Sequence, residues 1–479
     1  MRNRFVEFRR AIATAGAIAV TAFGGACSTS DLLKADDPDL VKPADIESPA
    51  GADAVRLGAI QRWRLTTGAD NTNGNESTWL FGGLLTDEWG TASTFVQNDQ
   101  VDKRAAGADN STVTFSFRKL NRVRTAVNQA LPLMAKYRPT EITSIAELLF
   151  ARAFAEMQLA SDFCNGIPLS NAATADGSIE YGDPLMVDSV FKVAIVTADS
   201  GINLITGTDS QSVNVLNGLR IIKGRAQLGL NLLAAAAATV APVPANHAYN
   251  HTFSASVGSN AIWGQPFGGS RYLVGDSIEG NARNIRVLNA IPFFSSQDPR
   301  TPSFFTITTV AGKPDTAKSQ DGLTLVRRLG LSATAPVYNQ FTAVTVTAAR
   351  DARLIEAEAQ LANNPPGDLT WLATLNALRA TPTTIGTITT PVMAPLTDPG
   401  TPAARLDLLF REKAYWTFTR GHRLGDMRRL VRYYGRASNT VYPEGPHYRG
   451  GTYGADVTLI VPQEELNNPK FSGCIDRNP

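Results

Sequence analysis

Apolar residues recur at helical spacing over most of this chain, and where that spacing lapses the composition changes with it. In "EITSIAELLFARAFAEMQLASDF", Ile145, Leu149, Ala153, Met157 and Ala160 fall at steps of three and four, while Phe150 and Phe154 mark a second apolar line. A stripe that wide fits a helix covered on more than one side. Comparable patterns run through "DAVRLGAIQRWRL", "FRKLNRVRTAVNQALPLMAKY", "MVDSVFKVAIVTADSGINLI" and "LRIIKGRAQLGLNLLAAAAATV". They resume in "AARDARLIEAEAQLANN", "DLTWLATLNALRA" and "AARLDLLFREKAYWTFTR". Between the two groups, Gly, Pro, Ser, Asn and aromatics dominate, and only short β-branched runs such as "FTITTV" and "FTAVTVT" suggest strands. The expected fold is therefore mainly α: helical hairpins in a tetratricopeptide-like scaffold, over 53–241 and 344–479, with an irregular loop-rich α+β insertion over 242–343. No period of roughly 34 residues is visible, so the repeat does not rest on periodicity.

The N-terminus departs from this pattern. "MRNRFVEFRR" is followed by sixteen uncharged, mostly apolar residues ending at Ala26. That run is shorter than the ~20 residues a spanning helix needs, so residues 1–26 read as an export signal. Its end, "FGGAC", resembles the lipobox of bacterial lipoproteins and makes Cys27 the acylated residue, carrying palmitate-type chains that would hold the protein on a membrane surface. An ordinary secretory signal with a chance cysteine is the alternative. Residues 27–52 are acidic and proline-punctuated, and read as a lipid-anchored tether. Cys164 and Cys474 remain; an exported protein permits a disulfide between them or two buried thiols.

A net charge of only +2 argues against nucleic acid as a partner. That makes "AYWTFTRGHRLGDMRR" a local feature, with Arg420, Arg423, Arg428 and Arg429 beside His422 and three aromatics. It belongs to an ordered series: "AELLFARAFAEMQLASDFCNGIPLS", "KGRAQLGLNLL", "QDPR", "RLIEAEAQLAN" with "LNALRA", "LLFREKAYWTFTRGHRLGDMRRL" and "LIVPQEELNNPKF". Together these resemble the SusD/RagB family of nutrient-uptake outer-membrane lipoproteins over nearly the whole mature chain. The resemblance implies a SusD-like fold in which Gly421, His422, Arg423, Asp426 and Arg428 are architectural. On that reading a long helix ends at Gly421 and Asp426 opens a short one. The residue types agree: glycine suits a left-handed stop, aspartate caps a helix, and a forked guanidinium satisfies carboxylates or free helix carbonyls.

Chemistry elsewhere is sparse. "GDSIEG" offers Ser277 as a hydrolase nucleophile, with His447 after Glu444 as the base it would need. His247 and His251 stand four apart, a metal spacing only on a helix, and no metal or cofactor is expected. Asp87-Glu88 are paired acids of the kind a glycosidase uses, without other support. Binding is better supplied: Trp79 and Trp89 lie in one polar, glycine-containing stretch, and the insertion carries Trp263, Phe267, Tyr272 and Phe293-Phe294. Trp79, Trp89, Trp263 and Tyr272 are the expected ligand-binding residues. The resemblance implies a non-enzymatic protein on the outer face of the bacterial outer membrane. It would capture an oligosaccharide or peptide for a SusC-like TonB-dependent β-barrel. A surface serine hydrolase and a ligand-free scaffold subunit are the alternatives.

Overall fold

A computed structural model of the chain describes residues 46–68, 77–171, 178–279, 284–322 and 324–479. The export signal and Cys27 lie outside the described residues. Thirteen α-helices are present among those described: α1 Pro49–Thr67, α2 Thr78–Leu84, α3 Val96–Asp102, α4 Ser111–Tyr137, α5 Ile142–Asp162, α6 Val187–Leu204, α7 Ser210–Gly229, α8 Leu233–Val240, α9 Ala261–Trp263, α10 Ala349–Asn363, α11 Thr370–Ala380, α12 Pro402–Trp416 and α13 Arg423–Arg432.

Local chemistry sets several of the starts. Ser48 accepts from the Gly51 amide at 3.0 Å and Pro49 follows at the first helical position, so α1 begins inside the segment expected as tether. Asn110 accepts from the amides of Thr112 and Val113, both at 3.1 Å, to open α4. Asp209 does the same for α7.

The short connections fold α4 with α5, α6 with α7, and α10 with α11 into hairpins. α5 lies against α4, α6 and α7, which is why its apolar stripe is so wide. Close approach is purchased with small residues: a Cβ at Gly218 of α7 would run into the Phe150 ring of α5. α10 returns after the insertion to pack on α7 and α8, so helices distant in sequence form one continuous scaffold. Over α9 and the residues around it no long helix forms. Instead five of the seven small sheets among the described residues draw strands from this stretch, the largest of three strands. The β-branched runs do become strands, Ile307–Val310 and Val344–Ala348.

The arginine-rich segment joins these parts. α12 ends at Trp416, five residues before Gly421, which turns the chain at φ +64°. Arg420 forks onto Asp351 at 2.6 Å on both sides. Arg428 donates to the carbonyls of Ala160 and Ser161 at 2.7 and 2.6 Å, satisfying the free end of α5. Arg429 pairs with Glu358, which also accepts from Lys413 at 2.6 Å and Tyr434 at 2.7 Å. Burial alone would raise Glu358, but Arg429 and Lys413 overturn that and hold it at about 2. One expectation is corrected here. α13 opens at Arg423, not Asp426; Asp426 sits in its first turn and accepts from Lys413 at 3.0 Å and Arg429 at 2.6 Å. The buried cations draw that carboxylate inward and leave it unable to cap. The "QDPR" arginine works alike: Arg300 spans Asp298 and Glu412 and lies over the Tyr415 and Trp416 rings at 4.9 and 5.0 Å.

The closing motif is stitched to the end of α5. Cys164 donates its amide to the Leu459 carbonyl at 2.9 Å, and Leu459 returns one to Asp162 at 2.8 Å. Cys164 and Cys474 form a disulfide, with Cα atoms 6.1 Å apart.

Candidate functional site

Three of the four expected ligand-binding rings are core. Trp79 and Tyr272 are 0% exposed and Trp89 2%. Trp79 packs on Phe154 and is capped by the Gly421 turn. Trp89 belongs to a strand, Trp89–Thr91, paired antiparallel with Tyr272–Val274. Its ring meets Phe418 at 5.0 Å and Tyr272 edge-on at 6.5 Å. Phe293 is equally enclosed between Tyr415 and Phe418. None of these rings has a free face for a ligand, and the expectation for Trp79, Trp89 and Tyr272 is corrected accordingly. The sequence signal was sound for ring density and silent on orientation, because glycines and polar neighbours here line a close-packed junction.

What these buried strands do is place an outer layer. Immediately after Thr91 the chain carries Phe95 to the surface at 38% exposure, just before α3. Arg271, one residue ahead of the partner strand, lies over the Phe95 ring at 4.7 Å. α9 and the π-helical turn Gly264–Gly268 precede it and carry half-buried Trp263 and Phe267. Arg328 stacks on Phe267 at 4.8 Å and donates to Ser270 Oγ at 2.8 Å, while Phe304 meets Phe267 edge-on at 6.5 Å. Gln320 ties in the neighbouring loop by donating to the Gly269 carbonyl at 3.1 Å.

The loop bearing Phe95 is braced from two sides. Ser319 Oγ donates to the Ala92 carbonyl, and Arg449 donates to the Ser93 carbonyl at 2.7 Å and to Asp99 at 2.6 Å. The face is thus pre-shaped: partly exposed rings flanked by guanidinium and amide donors on a fixed floor. Such a surface suits a ligand with apolar faces and polar edges. Phe95 and Arg328 were missed in the sequence, since a lone phenylalanine in "TASTFVQNDQ" and an arginine in a strand carry no spacing signal. A separate cleft of about 840 Å³ lies between the strand Ala248–His251, α10 and α11; Asn246, Asn250, Thr345, Arg353 and Thr374 line it, and no Phe, Tyr or Trp does.

The hydrolase constellation does not assemble. The His447 Nε2 atom faces Asp102 at 3.5 Å, and its Nδ1 accepts the Arg449 amide at 3.2 Å. Glu444 is taken by Arg104 at 2.9 Å. The contacts of both ring nitrogens of His447 are thus with Asp102 and Arg449 rather than with Ser277. His251 ends the strand Ala248–His251 and His247 immediately precedes it, so neither is on a helix; they lie against Thr67 at 2.6 Å and Thr347 at 3.0 Å respectively. Among the described residues no group of three or more His, Cys, Asp or Glu is arranged to hold a metal. Asp87 is committed to Arg423, and its neighbour Glu88 is fully enclosed. No helix among the described residues is long and apolar enough to cross a membrane.

This architecture is that of the SusD-like proteins. A SusD-like carbohydrate-binding protein from Bacteroides fragilis matches with a TM-score of 0.61 at 14% identity, over 89% of this chain and 99% of its own. A SusD superfamily protein from Parabacteroides distasonis matches with a TM-score of 0.62 at 12% identity, over 88% and 98%. Surface glycan-binding protein A from Bacteroides uniformis matches with a TM-score of 0.56 at 12% identity, over 88% and 99%. No protein-family model and no curated protein sequence matches the chain.

Proposed function

We propose that this chain is a cell-surface nutrient-binding lipoprotein that captures an oligosaccharide and hands it to a SusC-like TonB-dependent β-barrel. The observation that carries the reading is the braced face of Phe95, Trp263 and Phe267 with Arg271 and Arg328, on a fold shared with proteins described as carbohydrate- and glycan-binding. Sugar rings offer C–H faces to aromatic planes and hydroxyl edges to guanidinium and amide donors, which is the mixture this face presents. The export signal and lipobox supply the anchor at Cys27 on the outer membrane's external face, and the helical scaffold supplies the surface that docks on the barrel. Catalysis by this chain is not required, since the barrel and its energised partner would perform transport.

The test is calorimetry of the mature protein against a panel of oligosaccharides and peptides, with Phe95→Ala and Phe267→Ala beside the native chain. Saturable binding of an oligosaccharide, weakened at least about tenfold by either change (about 1.4 kcal/mol), supports the reading. Peptide binding with the same losses would change the cargo and keep the role. Binding to nothing in the panel, with a barrel protein still co-purifying, would favour the scaffold role. Turnover of any oligomer would favour the hydrolase.

A further inference from the structure

Where α5, α7 and α13 converge, the scaffold forms a partly open cavity of about 50 Å³ whose wall carries more cations than carboxylates. Most charged groups there are spent on one another. Lys413 and Arg429 share Asp426 and Glu358, Arg420 holds Asp351, and Arg432 reaches Asp188 at 2.7 Å. Two guanidiniums are left over. Arg428 is 3% exposed, and its Nη1 is used by the α5 carbonyls, yet its Nε and Nη2 have no hydrogen-bond partner. Arg225, on α7, reaches the Gly421 carbonyl at 3.4 Å through Nη2 and leaves Nη1 without a partner. The Nε2 of His422 lacks a partner too. All three side chains line the cavity.

Buried donors without acceptors are costly, and more so on cations such as buried Arg428 and half-buried Arg225. Burial pushes both Arg225 and Arg428 down to about 10, which leaves them charged at neutral pH and in need of a counter-charge. Asp162 is the nearby acid, but burial raises it to about 7, and its Oδ2 is engaged by Gln158 at 2.8 Å. A cavity of this size exceeds what one water needs and admits a small ion.

We propose that this cavity binds a small inorganic anion, chloride in the first instance, held between the guanidiniums of Arg225 and Arg428 with His422 closing the site. His422, kept neutral by burial, adds a third donor when its proton is on Nε2. The ion would cross-link α7, α13 and the turn at Gly421, a structural role independent of any ligand at the aromatic face.

Two measurements on the full mature protein decide it. Crystals grown without halide and soaked in bromide should give an anomalous peak within hydrogen-bond distance of Arg225 Nη1 and Arg428 Nη2. At fixed ionic strength, replacing gluconate, which is too large for the cavity, by chloride should raise Tm saturably by at least about 2 °C. Arg225→Met should abolish that chloride dependence, and Arg225→Lys should retain part of it. Should Arg225→Met fail to fold, the bromide peak alone decides. A cavity holding only water, with no anomalous peak, or a Tm equal in chloride and gluconate, overturns the proposal.

Discussion

Arg423 grips Asp87 through two bonds, Nε to Oδ1 at 2.7 Å and Nη2 to Oδ2 at 2.9 Å, across 336 residues of chain. Asp87 Oδ2 also accepts the Ile291 amide at 2.7 Å, so one carboxylate fastens α13, the loop after α2 and the insertion together. Both side chains are buried. Removing one partner strands the other charge, whereas removing both leaves a gap and one orphaned amide.

Arg423→Ala is accordingly expected to lower unfolding free energy by about 3–5 kcal/mol, and Arg423→Lys by much of that, because an ammonium cannot fork onto two oxygens. The double variant Arg423→Met with Asp87→Leu should cost less than the sum of the single changes. Urea unfolding of the four proteins measures this; strict additivity would mean that the pair is not coupled.

Glu88 is fully buried, and burial together with neighbouring Asp87 raises its carboxyl well above the ordinary range. A raised folded pKa means that stability is fully present below the unfolded value near 4.5 and is lost as pH rises toward the folded one. Glu88→Gln removes that loss. The stability of Glu88→Gln relative to the native chain should therefore grow between pH 4.5 and 7.5, by up to ~1.4 kcal/mol per pH unit, in urea titrations at several pH values. A difference that stays flat across this window would show that Glu88 titrates normally.

The Cys164–Cys474 disulfide closes a loop of 310 residues and joins the tail to the end of α5. Closing so long a loop restricts the unfolded chain, so replacing both cysteines by serine should cost up to about 5 kcal/mol. The tail's backbone bonds from Cys164 to Leu459 remain available, so the variant should keep native circular dichroism and ligand affinity while its urea midpoint falls. An unchanged midpoint would show that those backbone bonds suffice.

The helical scaffold was legible because its signal is periodic: the double stripe on α5 follows from three helices packing around it. The arginine segment was legible as architecture for a related reason, since guanidiniums beside glycine and aspartate need buried acceptors. Its acceptors were not. Asp351, Glu358 and Asp87 lie tens to hundreds of residues away, and no local pattern marks an ion pair closed by the fold. The same limit explains the aromatic residues. Trp89 and Phe95 stand six positions apart in one polar stretch, yet a two-strand pairing buries the first and the following loop exposes the second.

That contrast separates two kinds of aromatic loss. Trp89→Ala should remove about 3–5 kcal/mol of stability, because its ring fills space between Phe418 and Tyr272. Phe267→Ala, at a half-buried ring under Arg328, should cost less stability and more affinity. Measuring unfolding and ligand titration on both proteins checks the division. A Trp89 variant that folds normally but no longer binds would restore that residue to the site.

Gly421 gives the sharpest steric case. Its φ of +64° lies in the region that a Cβ disfavours, and a Cβ built there would fall on the Trp79 ring, which is itself fully enclosed. Neither strain can be relieved alone. Rotating the backbone would pull Arg420 and Arg423 off Asp351 and Asp87, and moving Trp79 would disturb its packing on Phe154. Gly421→Ala should therefore lose at least about 2 kcal/mol, more than loss of glycine's freedom in the unfolded chain would return. Gly435, also at φ +66° but with no atom near a built Cβ, isolates the backbone part, and Gly435→Ala should cost only about 1 kcal/mol. Equal losses at the two sites would mean that contact with Trp79 contributes nothing.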